Sequence, residues 1–179
     1  MVLKILLIVV GALVALVLLL VIVGACTPRD HVASRTARFS RPPAAVFALI
    51  TPTEGTPAWR GDVNRVEILG EVDGRLRYRE YGRHGAMTYE VMEQTAPTRL
   101  VGRIVDENLG YGGTWTWELA PAPGGGTDVT VTERGFVTNL MFRGIMAMTS
   151  QHGTMDRFLV ALGRALGEEV TPRDAGGGS

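Results

Sequence analysis

Glu80 and Glu133 are the two carboxylates whose spacing suits them to chemistry. Alternate residues are apolar in Leu76-Arg77-Tyr78-Arg79-Glu80-Tyr81 and in Val129-Thr130-Val131-Thr132-Glu133. Side chains on a strand alternate between its two faces. If Leu76 and Tyr78 face an interior, Glu80 faces it too, and Val129 and Val131 carry Glu133 with them. A carboxyl held against apolar walls keeps its proton to higher pH and can serve as a general acid or base. The structural alternative is an ion pair at a strand end, with Arg60, Arg77 or Arg103 as partner, and that is the commoner use of such groups. Neither glutamate is therefore assigned as catalytic; both are candidates.

Around them lie the residues expected to line an apolar cavity: Trp59, Tyr78, Tyr89, Trp115, Trp117, Phe142, Met146, Met155 and Phe158. Aromatic rings suit an apolar ligand, and methionines adapt to its shape, although the same residues can fill a solid core. Met141 and Met148 extend the methionine cluster. Metal chemistry is not expected. His31, His84 and His152 are scattered without ligand spacing, and Cys26 is the only cysteine. No cofactor is expected. Gly110-Tyr111-Gly112-Gly113 lacks the Lys-Ser/Thr and the following helix of a phosphate loop. Ser34, Ser40, Ser150 and Ser179 all stand outside a Gly-x-Ser-x-Gly frame.

These residues follow an apolar segment. From Ile5 to Cys26 the sequence has no charge and is dominated by Leu, Val and Ile. At about 1.5 Å per residue such a helix covers the roughly 30 Å hydrocarbon core of a bilayer. It has no polar face, as a core helix would, and exceeds the apolar region of a cleaved signal peptide. Residues 1–27 are expected to anchor the protein, and a single-pass or lipid-anchored place at the cell membrane follows. Val23-Gly24-Ala25-Cys26 resembles a bacterial lipobox, which makes Cys26 a weak lipidation candidate. Arg29, Arg35, Arg38 and Arg41 after the helix place the domain in the cytoplasm by the positive-inside rule; lipidation would place it outside. The side therefore stays open.

Zero net charge over 179 residues gives no general attraction for nucleic acid, and none is expected as a partner. Lys4 is the sole lysine among the cations, a bias that reads as a GC-rich genome, and a bacterial source is expected.

The folded domain is expected over residues 31–168, with a disordered Gly-rich tail over 169–179. Val32–Phe39 reads as a strand, and Ser40 as the cap of a helix over Pro43–Ile50. Pro52, Gly55 and Pro57 then leave only a helical turn before Trp59. Strands follow at Val63–Leu69, Leu76–Tyr81, Met87–Glu93, Arg99–Val105, Thr114–Leu119 and Thr127–Gly135, with an Asp73-Gly74 hairpin turn between the first two. Leu140–Ser150 is helical, with a break or kink at Gly153 and a cap at Thr154. Met155, Phe158, Leu159, Leu162 and Leu166 then form one apolar stripe. A stripe of that kind needs a sheet to cover it. The fold class is α+β: a curved antiparallel sheet wrapped around a long C-terminal helix, behind one transmembrane helix.

The order of strand, two small helices, six strands and long helix resembles the SRPBCC superfamily, or helix-grip fold. That superfamily includes polyketide cyclase/dehydrase-like, START-type and birch-pollen-allergen-like proteins. The similarity is carried by Ala37-Arg38-Phe39-Ser40-Arg41-Pro42-Pro43-Ala44-Ala45-Val46-Phe47, by Trp59-Arg60, by Gly112–Leu119 and by Gly126–Gly135. The resemblance implies a hydrophobic cavity between sheet and helix that holds lipids, polyketides or other apolar molecules, and in some relatives supports cyclisation or dehydration. It specifies fold better than chemistry. Three functions follow as expectations. The first is a membrane-tethered module holding a hydrophobic small molecule or lipid. The second is a cyclase- or dehydratase-type enzyme using an inward glutamate. The third is an interaction protein without a ligand.

Overall fold

The computed structural model describes residues 1–83, 85–106, 109–149 and 152–176. His84 and Ser150, named above, lie outside the described residues, as do 177–179 of the tail. Helix α1 (Val2–Cys26) is long and apolar enough to cross a membrane, and its apolar side chains are exposed. Strand β1 (Asp30–Phe39) follows at once, then α2 (Pro43–Ile50) and a 3-10 turn at Thr56–Ala58. An antiparallel meander comes next: β2 (Val63–Val72), β3 (Arg75–Gly82), β4 (Gly85–Thr95), β5 (Arg99–Ile104), β6 (Tyr111–Pro121) and β7 (Thr127–Val137). Helices α3 (Leu140–Ala147) and α4 (Gly153–Ala165) precede a two-residue strand, β8 (Arg173–Asp174).

The sheet runs in the order β2-β3-β4-β5-β6-β7-β1-β8. Short turns make the meander, and the small helices carry the chain from β1 across to β2. Asp73 and Gly74 both take positive φ, as the two-residue hairpin turn between β2 and β3 demands. Alternation holds: Phe39, Val129, Val131, Trp117, Leu119 and Leu100 are buried on one face. There they meet Met155, Leu159 and Leu162 of α4, which have no exposed surface. Arg35 of β1 donates from Nε to Asp156 Oδ1 at 2.7 Å, fixing α4 against the first strand. The helix ends in a Schellman turn. Gly167 takes φ 78°, its N–H bonds Arg164 O, and Glu168 N–H bonds Gly163 O.

The structure departs from the sequence reading in four places. Ser40 does not cap α2; Pro42 holds that position, and Ser40 donates through N and Oγ to the Glu168 carboxylate. Thr154 is not a cap either, since α4 starts one residue earlier behind His152. Helix α3 ends at Ala147, before the expected bound, and packs against α1 instead of lining the cavity with Phe142 and Met146. Finally, residues 169–176 are not a loose tail: Val170 packs on the core, and Arg173–Asp174 pair with Thr36 and Arg35.

Candidate functional site

The concave face of the sheet carries a slot lined by Ile50, Pro52, Thr56, Trp59, Arg60, Tyr78, Glu80, Leu100, Trp117 and Phe158. Its walls come from the α2 end, the 3-10 turn, strands β3, β5 and β6, and α4. Trp59 meets Phe158 edge-on at 5.5 Å between ring centroids, and Trp117 lies 5.8 Å from the same ring. Across the sheet Tyr78 pairs with Tyr89, their rings stacked at 5.3 Å. Gly102 leaves room beneath two of these groups. A methyl there would lie 3.6 Å from the Trp117 ring and 3.8 Å from the Tyr78 hydroxyl. The remaining free volume is about 20 Å³, enough for a single water and far below the several hundred Å³ of a drug-sized pocket. This slot is therefore far smaller than the roomy cavity expected from the resemblance.

Polar groups concentrate at one side of this slot. Arg60 donates from Nη1 to Glu80 Oε1 at 2.9 Å and from Nη2 to Asp62 Oδ2 at 2.7 Å. The Arg60 and Glu80 side chains are only 16% and 11% exposed. Burial pushes the Glu80 carboxyl above its ordinary range; Arg60 opposes that push, and the Asp62 charge adds to it. Arg60 itself loses by burial, but Asp62 and Glu80 more than compensate and hold it firmly protonated. Burial, then the Glu80 charge, raise both Tyr78 and Tyr89, so each keeps its hydroxyl proton. One donor is unmet. Trp117 Nε1 is buried with no hydrogen-bond partner among the described residues, while its ring lines the slot. An unpaired buried donor costs about 1–3 kcal/mol.

Glu133 also lies on the concave face, but its neighbour is His31 rather than an arginine. His31 Nε2 stands 3.7 Å from Glu133 Oε1, and burial raises the glutamate against the pull of His31. A methyl at Gly135 would sit 2.6 Å from the His31 ring, so only glycine lets the imidazole cross β7 here. Arg77 and Arg103 turn to the other face, where both donate to Glu90. Beneath this arginine cover Glu90 is held below its ordinary range, first by its hydrogen bond from Arg77.

Of the residues expected to line a cavity, Trp59, Tyr78, Trp117 and Phe158 surround the slot together with Glu80. Tyr89 and Trp115 pack on the core beside them. Met155 is wholly buried under α4 as core. Phe142 and Met146 stand on α3, away from the slot; Phe142 lies against Tyr111 at 5.7 Å. Sequence patterning missed the lining by Ile50, Pro52, Thr56 and Leu100, and the pairing of His31 with Glu133. Only the packing of α2 on the sheet and the β1–β7 register bring these together. Among the described residues no cluster of His, Cys, Asp and Glu is placed to hold a metal.

A curved antiparallel sheet closed by one C-terminal helix, with an aromatic slot between them, defines the helix-grip class, a ligand-binding or cyclase module. The profile of the family described as polyketide cyclase / dehydrase and lipid transport matches residues 30–167. The chain belongs to that family, within the START/SRPBCC superfamily. Solved structures agree on the fold. The Zhui aromatase/cyclase from Streptomyces sp. R1128 is 16% identical with a TM-score of 0.59, covering 76% of this chain and 94% of its own. A truncated norcoclaurine synthase from Thalictrum flavum is 10% identical with a TM-score of 0.62, over 76% and 93%. A START superfamily protein from Mycobacterium smegmatis is 13% identical with a TM-score of 0.56, over 74% and 94%. No curated protein matches the chain.

Proposed function

We propose that this protein is a membrane-tethered binding module that takes a small, mostly apolar molecule bearing a hydrogen-bond acceptor into the slot between sheet and α4. The observation that carries this reading is the unmet Trp117 N–H beside a slot of aromatic walls and one buried Arg60–Glu80 pair. An acceptor on a ligand relieves the cost of that donor, and the rings supply the apolar contact. With about 20 Å³ free, entry requires the Trp59–Phe158 contact to open. The anchor in this reading is α1, retained uncut, since Gly24 packs directly on the Leu140 backbone.

The test is extraction of the full chain from membranes into lipid nanodiscs, then native mass spectrometry and titration with 1-anilinonaphthalene-8-sulfonate followed by tryptophan quenching. A co-purifying small molecule, with dye binding weakened several-fold by Trp117→Phe, supports the proposal. A ligand-free protein whose dye response ignores Trp117→Phe overturns it and favours an interaction protein with a filled core.

One observation favours a second reading. Glu80 is a buried carboxyl of raised pKa beside the slot, next to two protonated tyrosines. That arrangement suits proton transfer in a cyclase- or dehydratase-type reaction. Once a substrate is in hand, Glu80→Gln abolishes turnover without unfolding the chain under this reading, and undiminished turnover removes it.

A further inference from the structure

Helix α3 leaves much of its apolar surface uncovered among the described residues, Phe142 alone meeting a ring, that of Tyr111. Leu140, Met141, Phe142, Ile145 and Met148 are all exposed, Met148 to 76%. Soluble domains seldom expose such a run on a single short helix. Its one substantial packing partner is α1, and the contact is backbone to backbone. A methyl on Gly24 would lie 1.8 Å from Leu140 O, and one on Gly144 would lie 2.1 Å from Leu20 O. Glycines that let two helices touch in this way are typical of packing inside membranes, where no hydrophobic effect drives helices together.

The paired contacts also set depth. Leu140 sits level with Gly24, and Gly144 sits level with Leu20. As α3 advances by one turn it therefore moves about 6 Å back along α1. A span of about 20 residues counted from Lys4, the single charge within α1, ends near Gly24. The one charged residue of α3 points the other way. Arg143 donates to the carbonyls of Val137, Thr27 and Thr138, all at the domain end of α1. This is the snorkelling expected of arginine beneath a headgroup layer.

From this we infer that α3 is a second membrane-embedded element: it enters the domain-side leaflet beside α1 and presents its apolar face to lipid acyl chains. The inference rests on the reading of α1 as a bilayer anchor. It also fixes how the domain sits, because Tyr111 against Phe142, His31, Glu133 and the Arg60–Glu80 pair all belong to the α3 end of the sheet. The polar side of the slot then faces the bilayer surface, and the β6–β7 turn at Pro121–Gly126 points away from it.

The test uses the full chain in phosphatidylcholine nanodiscs containing nitroxide-labelled lipid. A fluorophore is placed at single cysteines on a Cys26→Ser background: Leu13→Cys within α1, Ile145→Cys and Met148→Cys on α3, and Pro123→Cys in the distal turn. All four positions are exposed, so the fold tolerates them. Labels at 145 and 148 are expected to be quenched several-fold more strongly than the label at 123, approaching the one at 13. If 13 is quenched while 145 and 148 behave like 123, the α3 inference falls and the anchor stands. If 13 escapes quenching as well, the anchor reading itself is overturned, and this inference with it.

Discussion

Replacing Arg60 should cost far more than replacing Glu80, although the two share one ion pair. Arg60 has two acidic partners, Glu80 at 2.9 Å and Asp62 at 2.7 Å, whereas Glu80 has only Arg60 among the described residues. In Glu80→Gln the guanidinium keeps Asp62 and the amide oxygen still accepts, while the unfavourable buried charge is removed, so the change stays within about 1 kcal/mol, the scale of one hydrogen bond. In Arg60→Met the half-exposed Asp62 returns to water, but Glu80 stays buried without a partner. Stranding a buried charge costs roughly 3–5 kcal/mol, and slight solvent access argues for the lower end, about 3. At roughly 2–4 °C per kcal/mol for a chain of this size, that is a fall in Tm of about 6–12 °C. The cost should also depend on pH. A carboxyl whose folded pKa is raised supports the fold below its ordinary value of 4.5, and that support is lost as pH rises through the folded pKa. Removing Arg60 raises Glu80 further. The deficit of Arg60→Met should thus be small near pH 4 and full by pH 8. Thermal unfolding of the full-length variants in one detergent, from pH 4 to 8, measures it. Equal deficits for the two variants, or an Arg60→Met deficit that ignores pH, would refute the reasoning.

Three further outcomes follow from the geometry. Gly144→Val should push α3 off α1 by about an ångström, because the added carbon meets Leu20 backbone that cannot yield; distance measurements between spin labels at Cys26 and Met148→Cys should broaden, while Gly11→Val, with open space around it, leaves them unchanged. Glu133→Gln should stabilise the protein at pH 7 and not at pH 4, since the folded carboxyl is raised by burial and its support is lost as pH climbs through that value; melting curves at the two pH values decide it. Gly102→Ala adds a methyl at ordinary contact distance from Trp117. It should raise stability by about 0.5–1 kcal/mol through backbone entropy while weakening dye binding in the slot, both read in one titration series.

Local patterning determined much of this protein. The alternation in β3, β6 and β7, the Pro-started α2, the Asp73-Gly74 turn and the stripe on α4 each follow from neighbours within a few residues. A period of two or 3.6 is a property of the chain alone. The same alternation correctly turned Glu80 and Glu133 inward, as it did Trp115 and Trp117. What the chain could not show was which partners these side chains meet. Arg60 reaches Glu80 only because α2 and the 3-10 turn fold back across β3, and His31 reaches Glu133 only through the β1–β7 register. The width of the slot depends on how large rings from four separate segments interlock, a sum of packing choices that no single segment encodes. The fate of α3 is the clearest case. Its Phe142 and Met146 read as cavity lining, yet two glycines 120 positions apart bring it against α1 instead. Periodicity determines which face of an element is apolar; only the tertiary structure decides what that face touches, because contact depends on shape and distance between segments remote in the chain.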